Sequence, residues 1–234
     1  MTAPPPHLRD GSTPEERALL SAQLSVVVPV DDAPALLDPR GRRFQRLEWL
    51  GDSVLDVLVA RHRAIHPDGS THADLTSDRS LAARVADTGL PDLLDWQPGP
   101  ERLADLVEAA VAVGHRAAGW FGARTVAVRL VSHDLAQTAL PRALTPRQAT
   151  EAGASVLEVA ASLLLFARYP AADEGELSRR REPLLSAQRL SRHADGDGSV
   201  ESGADRLQAE LGRVLVVRGE QAAVEAALPY VRER

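Results

Sequence analysis

Leu, Val and Ala recur at three- and four-residue spacing through most of this 234-residue chain, and that spacing constrains its fold more than any other feature. Such a pattern places apolar side chains along one face of a helix. Aromatic residues are scarce, at three Phe, three Trp and two Tyr, and runs of β-branched residues are short, so strands are not expected. The sequence therefore predicts an all-α fold.

Local signals mark where several helices begin. The segments TPEE at 13–16 and TPRQ at 145–148 each combine a capping Thr, a Pro at the first helical position and Glu or Gln at the third. Helices are therefore predicted to begin near 14 and 146. Apolar spacing predicts the other helices near 46–64, 78–88, 101–118, 123–138, 174–193, 202–216 and 220–230. Pro and Gly mark residues 139–145 and 195–199 as connectors.

Composition excludes several classes of site. The chain has no Cys, which excludes disulfides, thiolate metal sites and cysteine nucleophiles. No basic leader and no run of bilayer-spanning length is seen, so we expect a cytoplasmic protein with no membrane partner. The net charge of −6 argues against broad electrostatic binding to nucleic acid. A nucleic-acid role would need a local basic patch or metal ions.

Two pairs of acidic residues have helical spacing. Glu48 and Asp52 are four residues apart, and Asp105 and Glu108 are three apart, so each pair shares one face of a predicted helix. Two such helices packed together would aim four carboxylates at one point, and this cluster would need a divalent cation such as Mg²⁺ or Mn²⁺. On spacing alone, however, ordinary solvated acids are the better interpretation.

Residues 46–55, RLEWLGDSVL, resemble the signature motif of the ribonuclease III family, with Trp49 in place of its Phe and Gln45 in place of its leading Glu. Residues 103–119 resemble the second acidic motif of that family, and Gly119 stands where a glycine follows the helix. The resemblance implies that the catalytic and metal-binding residues are Glu48, Asp52, Asp105 and Glu108, with Mg²⁺ or Mn²⁺ as cofactor. The implied reaction is metal-assisted hydrolysis of RNA phosphodiesters.

The second half of the chain also resembles this family, most clearly at residues 168–179, which indicates an internal repeat. We predict two ribonuclease III-like units, residues 1–140 and 141–234. Alignment of the halves replaces three of the four acids and retains one, the counterparts being Thr150, Ala154, Asp205 and Gln208. One carboxylate is too few to hold a divalent ion. The first unit is also several residues shorter between Pro67 and Leu81 than the second is between Pro170 and Leu190.

Family members pair as homodimers around double-stranded RNA, so the resemblance implies an intramolecular pseudo-dimer of one catalytic and one degenerate unit. The chain is then expected to be a monomer, with a homodimer as the alternative, and no double-stranded-RNA-binding domain is expected. Trp49 is predicted to insert into the second half, and a place in the core of its own unit is nearly as well supported.

Three functional interpretations stay open. The first is a metal-dependent endoribonuclease that acts on structured or double-stranded RNA with a single active site. The second is a non-catalytic ribonuclease III-like protein that binds RNA or a protein partner, which the degenerate second half and the negative charge favour. The third and weakest is a metal-dependent enzyme acting on another phosphate substrate.

Two minor motifs have plain explanations. The basic run at residues 179–181 is flanked by Glu174, Glu176 and Glu182, so an ion-paired solvated face is favoured over a phosphate contact. His62 and His66 are spaced along one helical face but have no third metal ligand nearby in sequence, so both are predicted to be solvated.

Overall fold

The computed structural model describes residues 12–67, 69–94, 98–136, 143–192 and 200–232. These residues form helices and turns with no strand among them, which confirms the all-α fold. Two short 3₁₀ helices lie at Pro91–Leu93 and His133–Ala136. The α-helices, in chain order, are α1 Pro14–Leu24, α2 Ala33–Leu37, α3 Arg42–Ile65, α4 His72–Thr76, α5 Asp78–Val85, α6 Pro100–Leu130, α7 Pro146–Arg168, α8 Glu174–Leu185, α9 Ala187–Ser191, α10 Val200–Arg218 and α11 Glu220–Val231.

The two predicted capping boxes are confirmed. The side chain of Thr13 accepts a hydrogen bond from the backbone of Glu16, and that glutamate accepts one in return from the backbone of Thr13. Thr145 and Gln148 make the same reciprocal pair at the start of α7. Each box satisfies backbone N–H groups that the first helical turn leaves without partners, which fixes the start of the helix.

Some boundaries differ from those predicted. The predicted helix 174–193 divides into α8 and α9 because Ser186 is extended, with ψ 137°. Helices predicted at 101–118 and 123–138 form one element, α6, which breaks at Ala118 and Gly119 and ends at Leu130. Helices α2 and α4 were not predicted, since five residues are too few to establish a period. Residues 139–142 and 195–199 of the predicted connectors lie outside the described residues.

Contacts between residues divide the chain into two compact units. Unit 1 comprises the described residues of Met1–Leu55 and Thr71–Ala136, and unit 2 those of Asp56–Ser70 and Gln137–Arg234. Helix α3 therefore contributes its first part to unit 1 and its last part to unit 2. The predicted units follow chain order, whereas the contacts group Asp56–Ser70 with the second half of the chain.

The core of unit 1 forms where α5 and α6 pack together, with apolar side chains of α3 buried in the same unit. A partly buried ion pair adds to this apolar core, because Asp32 is only 2% exposed and accepts a hydrogen bond from Nε of Arg116 at 2.6 Å. The pair satisfies a carboxylate that would otherwise be costly to bury. Fully buried side chains of the unit include Leu20, Phe44, Leu47, Leu50, Leu81, Leu90, Leu106 and Leu130.

Unit 2 is built around α7, which packs against α10, α11 and α8. The end of α3 belongs to this core, because Ala64 and Ile65 pack with Val216 of α10. It also contributes an ion pair, in which Nη1 of Arg61 lies 3.3 Å from Oε1 of the buried Glu220 at the start of α11. The segment Asp56–Ser70 thus supplies both apolar and charged contacts to unit 2.

Helix α7 is the one described helix that is long and apolar enough, by length and composition, to cross a membrane. The prediction that no segment reaches this length is therefore wrong. However, 56% of its most apolar window is buried inside the structure, and a helix at the centre of a helical core meets the same criterion.

Candidate metal centre

Helices α3 and α6 cross at Gly51 and Glu108. A Cβ atom added at Gly51 would lie 1.8 Å from the carbonyl oxygen of Glu108, so the two backbones are in direct contact. Glu48 lies on the turn of α3 that precedes Gly51, and Asp52 directly follows it. Asp105 lies one turn before Glu108 on α6. The crossing thus brings acids from both pairs of the sequence together in unit 1.

Three of the four predicted acids form a compact group. One carboxylate oxygen from each of Glu48, Asp105 and Glu108 lies within 4.8 Å of the other two, and all three side chains are half-buried. It is the one group of at least three His, Cys, Asp or Glu ligands found within the described ranges. Helical spacing supplies the pair Asp105 and Glu108, and the crossing of α3 with α6 adds Glu48.

Asp52 is not part of this compact group. Its side chain is half-buried, and its negative charge is among the causes that raise the pKa of Glu108. The carboxylate therefore acts on the centre electrostatically, although its oxygens are not within the distance that joins the other three. The sequence predicted four converging acids, and the structure brings three together with the fourth beside them.

Electrostatics at the centre favour a bound cation. Burial, followed by the charges of Asp52, Glu48, Asp105 and Asp78, raises the pKa of Glu108 to about 9. Burial also raises the pKa of Asp105, an effect that Arg102 partly offsets because its Nη1 donates a hydrogen bond to Oδ2 of Asp105 at 2.9 Å. The part of the rise that comes from neighbouring carboxylates is repulsion, which a bound cation would relieve.

Two residues that sequence reasoning missed act on this centre. Asp78, at the first position of α5, raises the pKa of both Asp105 and Glu108 by its charge. Arg102 pairs with Asp105 from the preceding turn of α6. The spacing of three residues could have revealed Arg102, whereas Asp78 reaches the centre only because α5 packs on α6.

The residues of the centre fit a hard divalent cation. Carboxylate oxygens are the ligands that Mg²⁺ and Mn²⁺ prefer, and three of them already lie close together. After burial, the charges of neighbouring carboxylates are the causes that raise the pKa of Glu108. A cation among these acids would relieve their mutual repulsion, because it attracts each of them.

Unit 2 contains a crossing with the same backbone contact and different side chains. A Cβ atom added at Gly153 of α7 would lie 1.7 Å from the carbonyl oxygen of Gln208 on α10. This is the residue pair that alignment of the two halves places opposite Gly51 and Glu108. The hydroxyl of Thr150 donates to the carbonyl of Pro146, and Ala154 and Asp205 are exposed. No second acidic group of three is found among the described residues.

The other residues singled out from the sequence form ion pairs or lie buried in the structure. Arg180 pairs with Glu176 at 2.7 Å and Arg181 with Glu158 at 3.0 Å, so ion pairing is confirmed for these two arginines. The prediction that His62 is solvated is wrong, because it is only 7% exposed and its ring lies 4.9 Å from that of His66. Trp49 is buried, as both interpretations of its role require.

Comparisons with known proteins bear on the fold. No protein-family profile and no curated protein matches the sequence of this chain. The structure is similar to that of Giardia Dicer, with a TM-score of 0.60 and 15% sequence identity over 81% of this chain and 54% of the Dicer chain. A second structure, of Dicer from Giardia intestinalis, gives a TM-score of 0.53 and 15% identity over 82% and 55% of the two chains.

At this level of identity the similarity shows the fold. The chain has an all-α, ribonuclease III-like fold, as the signature motif predicted. It spans about half the length of the Dicer chains that it matches.

Proposed function

We propose that the protein is a metal-dependent endoribonuclease that hydrolyses phosphodiester bonds of structured or double-stranded RNA at a single active site. The observation that carries the proposal is the convergence of Glu48, Asp105 and Glu108 at the α3–α6 crossing of a ribonuclease III-like fold. The similarity to Dicer supports RNA as the substrate class. The signature motif supports the same assignment, because one of its acids, Glu48, is among the three that converge.

The ligands proposed for Mg²⁺ or Mn²⁺ are Glu48, Asp105 and Glu108, with Asp52 as the fourth acid of the centre. When bound, the ion would lower the pKa of a water molecule and neutralise charge on the departing oxygen. Asp52 adds negative charge next to Glu108, which strengthens the attraction of the centre for a cation. Arg102 holds one oxygen of Asp105 in place and limits the repulsion between the acids.

A single active site follows from the composition of the second crossing. Thr150, Ala154 and Gln208 provide no negative charge, and the one remaining acid, Asp205, is exposed. We propose that unit 2 takes no part in the chemistry and that the chain works as a monomeric pseudo-dimer. The matching backbone contacts at Gly51 and Gly153 support a common origin of the two crossings.

The test is digestion of a perfect RNA duplex labelled on one strand at a time, under single-turnover conditions with Mn²⁺. We expect one nick per binding event, seen on a denaturing gel while the duplex stays intact on a native gel. Sedimentation must first show that the protein is a monomer. Coordinated breaks in both strands at low conversion by that monomer would refute the single-site proposal.

The second candidate is a non-catalytic protein that binds RNA or a protein partner. It is favoured by the position of Asp52 outside the compact group and by the net charge of −6. Binding of a labelled duplex in a gel-shift assay, with no cleavage of several structured RNAs in Mg²⁺ or Mn²⁺, would establish this candidate. Cleavage that EDTA abolishes would exclude it.

A further inference from the structure

The backbone contact at Gly51 is too close for any other residue. A Cβ atom there would lie 1.8 Å from the carbonyl oxygen of Glu108, 2.4 Å from its carbonyl carbon and 3.2 Å from its Cα. All three atoms belong to the backbone of α6, so no side-chain rotation can make room. A side chain at this position would force the two helices apart by more than an ångström.

We propose that Gly51 is a positioning residue of the metal centre, and this inference rests on the proposed function. By allowing backbone contact, Gly51 fixes the distance between α3, which carries Glu48, and α6, which carries Asp105 and Glu108. It touches neither metal nor substrate in this role. It acts through Glu108, whose backbone it contacts and whose carboxylate belongs to the centre.

The distance between α3 and α6 matters because a metal centre tolerates only small displacements of its ligands. Metal and catalytic groups must be held within about 0.5 Å of their working geometry. The separation that a Cβ at Gly51 would impose exceeds that tolerance. Because Asp105 and Glu108 share a helix, their spacing would survive the change, whereas the distance from either of them to Glu48 would grow. The three-residue group would then lose the member that α3 contributes.

The second crossing allows the effect of a Cβ on helix packing to be measured apart from its effect on the metal centre. At Gly153 a Cβ atom would lie 1.7 Å from the carbonyl oxygen and 2.4 Å from the carbonyl carbon of Gln208, also backbone atoms. Alanine at either glycine should therefore disturb packing to a similar extent. Only at Gly51 do the separated helices carry converging carboxylates. Gly153→Ala is thus a matched control for every effect of Gly51→Ala that comes from packing alone.

The experiment measures Mn²⁺ binding and stability of the full chain for the parent, Gly51→Ala and Gly153→Ala. Mn²⁺ affinity is read by electron paramagnetic resonance of the free ion, and stability by denaturant unfolding in EDTA. Both variants should be less stable than the parent. Gly51→Ala should also weaken Mn²⁺ binding by about 10- to 100-fold, the range found when groups that orient metal ligands are lost. Gly153→Ala should leave the affinity unchanged.

Two outcomes would overturn the inference and are distinguishable from failure of the proposed function. Parent affinity in a folded Gly51→Ala variant, or equal weakening by both variants, would show that Gly51 serves packing only. Absence of Mn²⁺ binding by the parent would instead refute the metal centre itself, and the positioning role with it.

A gain-of-site variant decides the question if Gly51→Ala does not fold. Thr150→Glu, Ala154→Asp and Gln208→Glu together restore, with Asp205, four acids around Gly153. If a glycine crossing is what positions such acids, this variant should bind one more Mn²⁺ than the parent. Adding Gly153→Ala should weaken that second site. A folded triple variant that binds no additional ion would overturn the positioning role.

Discussion

The α3–α6 and α7–α10 crossings share a backbone contact and differ in chemistry. Gly51 meets the backbone of Glu108 in unit 1, and Gly153 meets that of Gln208 in unit 2, at nearly equal distances. The first crossing gathers three carboxylates, and the second, among its described residues, keeps only Asp205. Close backbone packing can therefore be kept where the charged side chains are not, because helix packing and metal binding depend on different atoms.

The charges around half-buried acids also differ between the two units. In unit 2, burial raises the pKa of Glu158, the guanidinium of Arg181 offsets part of that rise, and the charge of Asp56 adds a smaller rise. Arg181 also donates a hydrogen bond to the hydroxyl of the buried Ser162 at 3.1 Å. In unit 1, the charges that act on Glu108 are those of other carboxylates, and they raise its pKa further. An arginine therefore offsets part of the pKa rise of Glu158, whereas the charges named as acting on Glu108 all raise its pKa.

The largest effect is expected when unit 2 is cut along the chain order. A fragment of residues 141–234 lacks Asp56–Ser70, which supplies Ala64 and Ile65 to the core and Arg61 to Glu220. We expect this fragment to show no cooperative unfolding, since a whole domain is stable by only about 5–15 kcal/mol. Fusing residues 56–70 through a flexible linker to the start of the fragment should restore a transition in circular dichroism. A cooperative melt of the unfused fragment would contradict the contact-based division.

Cleavage should depend on acids of the first crossing alone. Asp105→Asn should lower the single-turnover rate on duplex RNA by about a hundredfold or more, because a metal supplies several kcal/mol of charge stabilisation. The matched control, Asp205→Asn, changes the equivalent acid of unit 2 and should cleave at the parent rate. Equal loss in the two variants would mean that both crossings contribute to the chemistry.

Glu108→Gln should stabilise the metal-free protein, with an effect that grows as pH rises. The folded pKa of Glu108, about 9, lies above its ordinary value of 4.5, so the folded state binds more protons and parent stability falls between these pH values. Removal of the acid prevents that fall, so the free energy of unfolding of the variant should exceed that of the parent by on the order of 3 kcal/mol at pH 7. Urea unfolding in EDTA at pH 5, 7 and 8 measures this difference.

The mirror-image variant tests the same comparison in unit 2. Gln208→Glu places an acid at the second crossing, where the one equivalent neighbour is Asp205, and it should lose stability with rising pH by a smaller amount. A Glu108→Gln variant whose stability tracks the parent at every pH would show that Glu108 ionises normally.

The smallest effect is expected at Asp52. In metal-free buffer above pH 9, where Glu108 is ionised, Asp52→Ala should raise stability by about 1 kcal/mol, partly from helix propensity and partly from relief of repulsion with Glu108. Ala154→Asp makes the reverse change at an exposed position of α7 and should alter stability by no more than roughly 0.5 kcal/mol. The stability change of Asp52→Ala minus that of the reverse change at Ala154 measures the repulsion. This difference should become smaller in 1 M NaCl, which screens charges. Equal magnitudes would leave propensity as the whole effect.

Much of the candidate centre could be predicted from sequence because its parts are local. Helical spacing alone placed Asp105 one turn from Glu108, and the signature motif indicated that Glu48 belongs with them. The same holds for the starts of α1 and α7, since Thr13 and Thr145 act within a single helical turn. Interactions that span three or four residues are fixed once the helix forms.

Tertiary structure decided what depends on distances between helices. It placed Asp52 outside the compact group and brought Asp78 close enough to act on Glu108. It also buried His62, which the sequence predicted to be solvated. It also assigned the end of α3 to unit 2. The sequence by itself determined which residues share a helical face, because that face is set within one turn of backbone. Which faces meet, and how closely, depends on packing across helices far apart in the chain, and no local pattern encodes it.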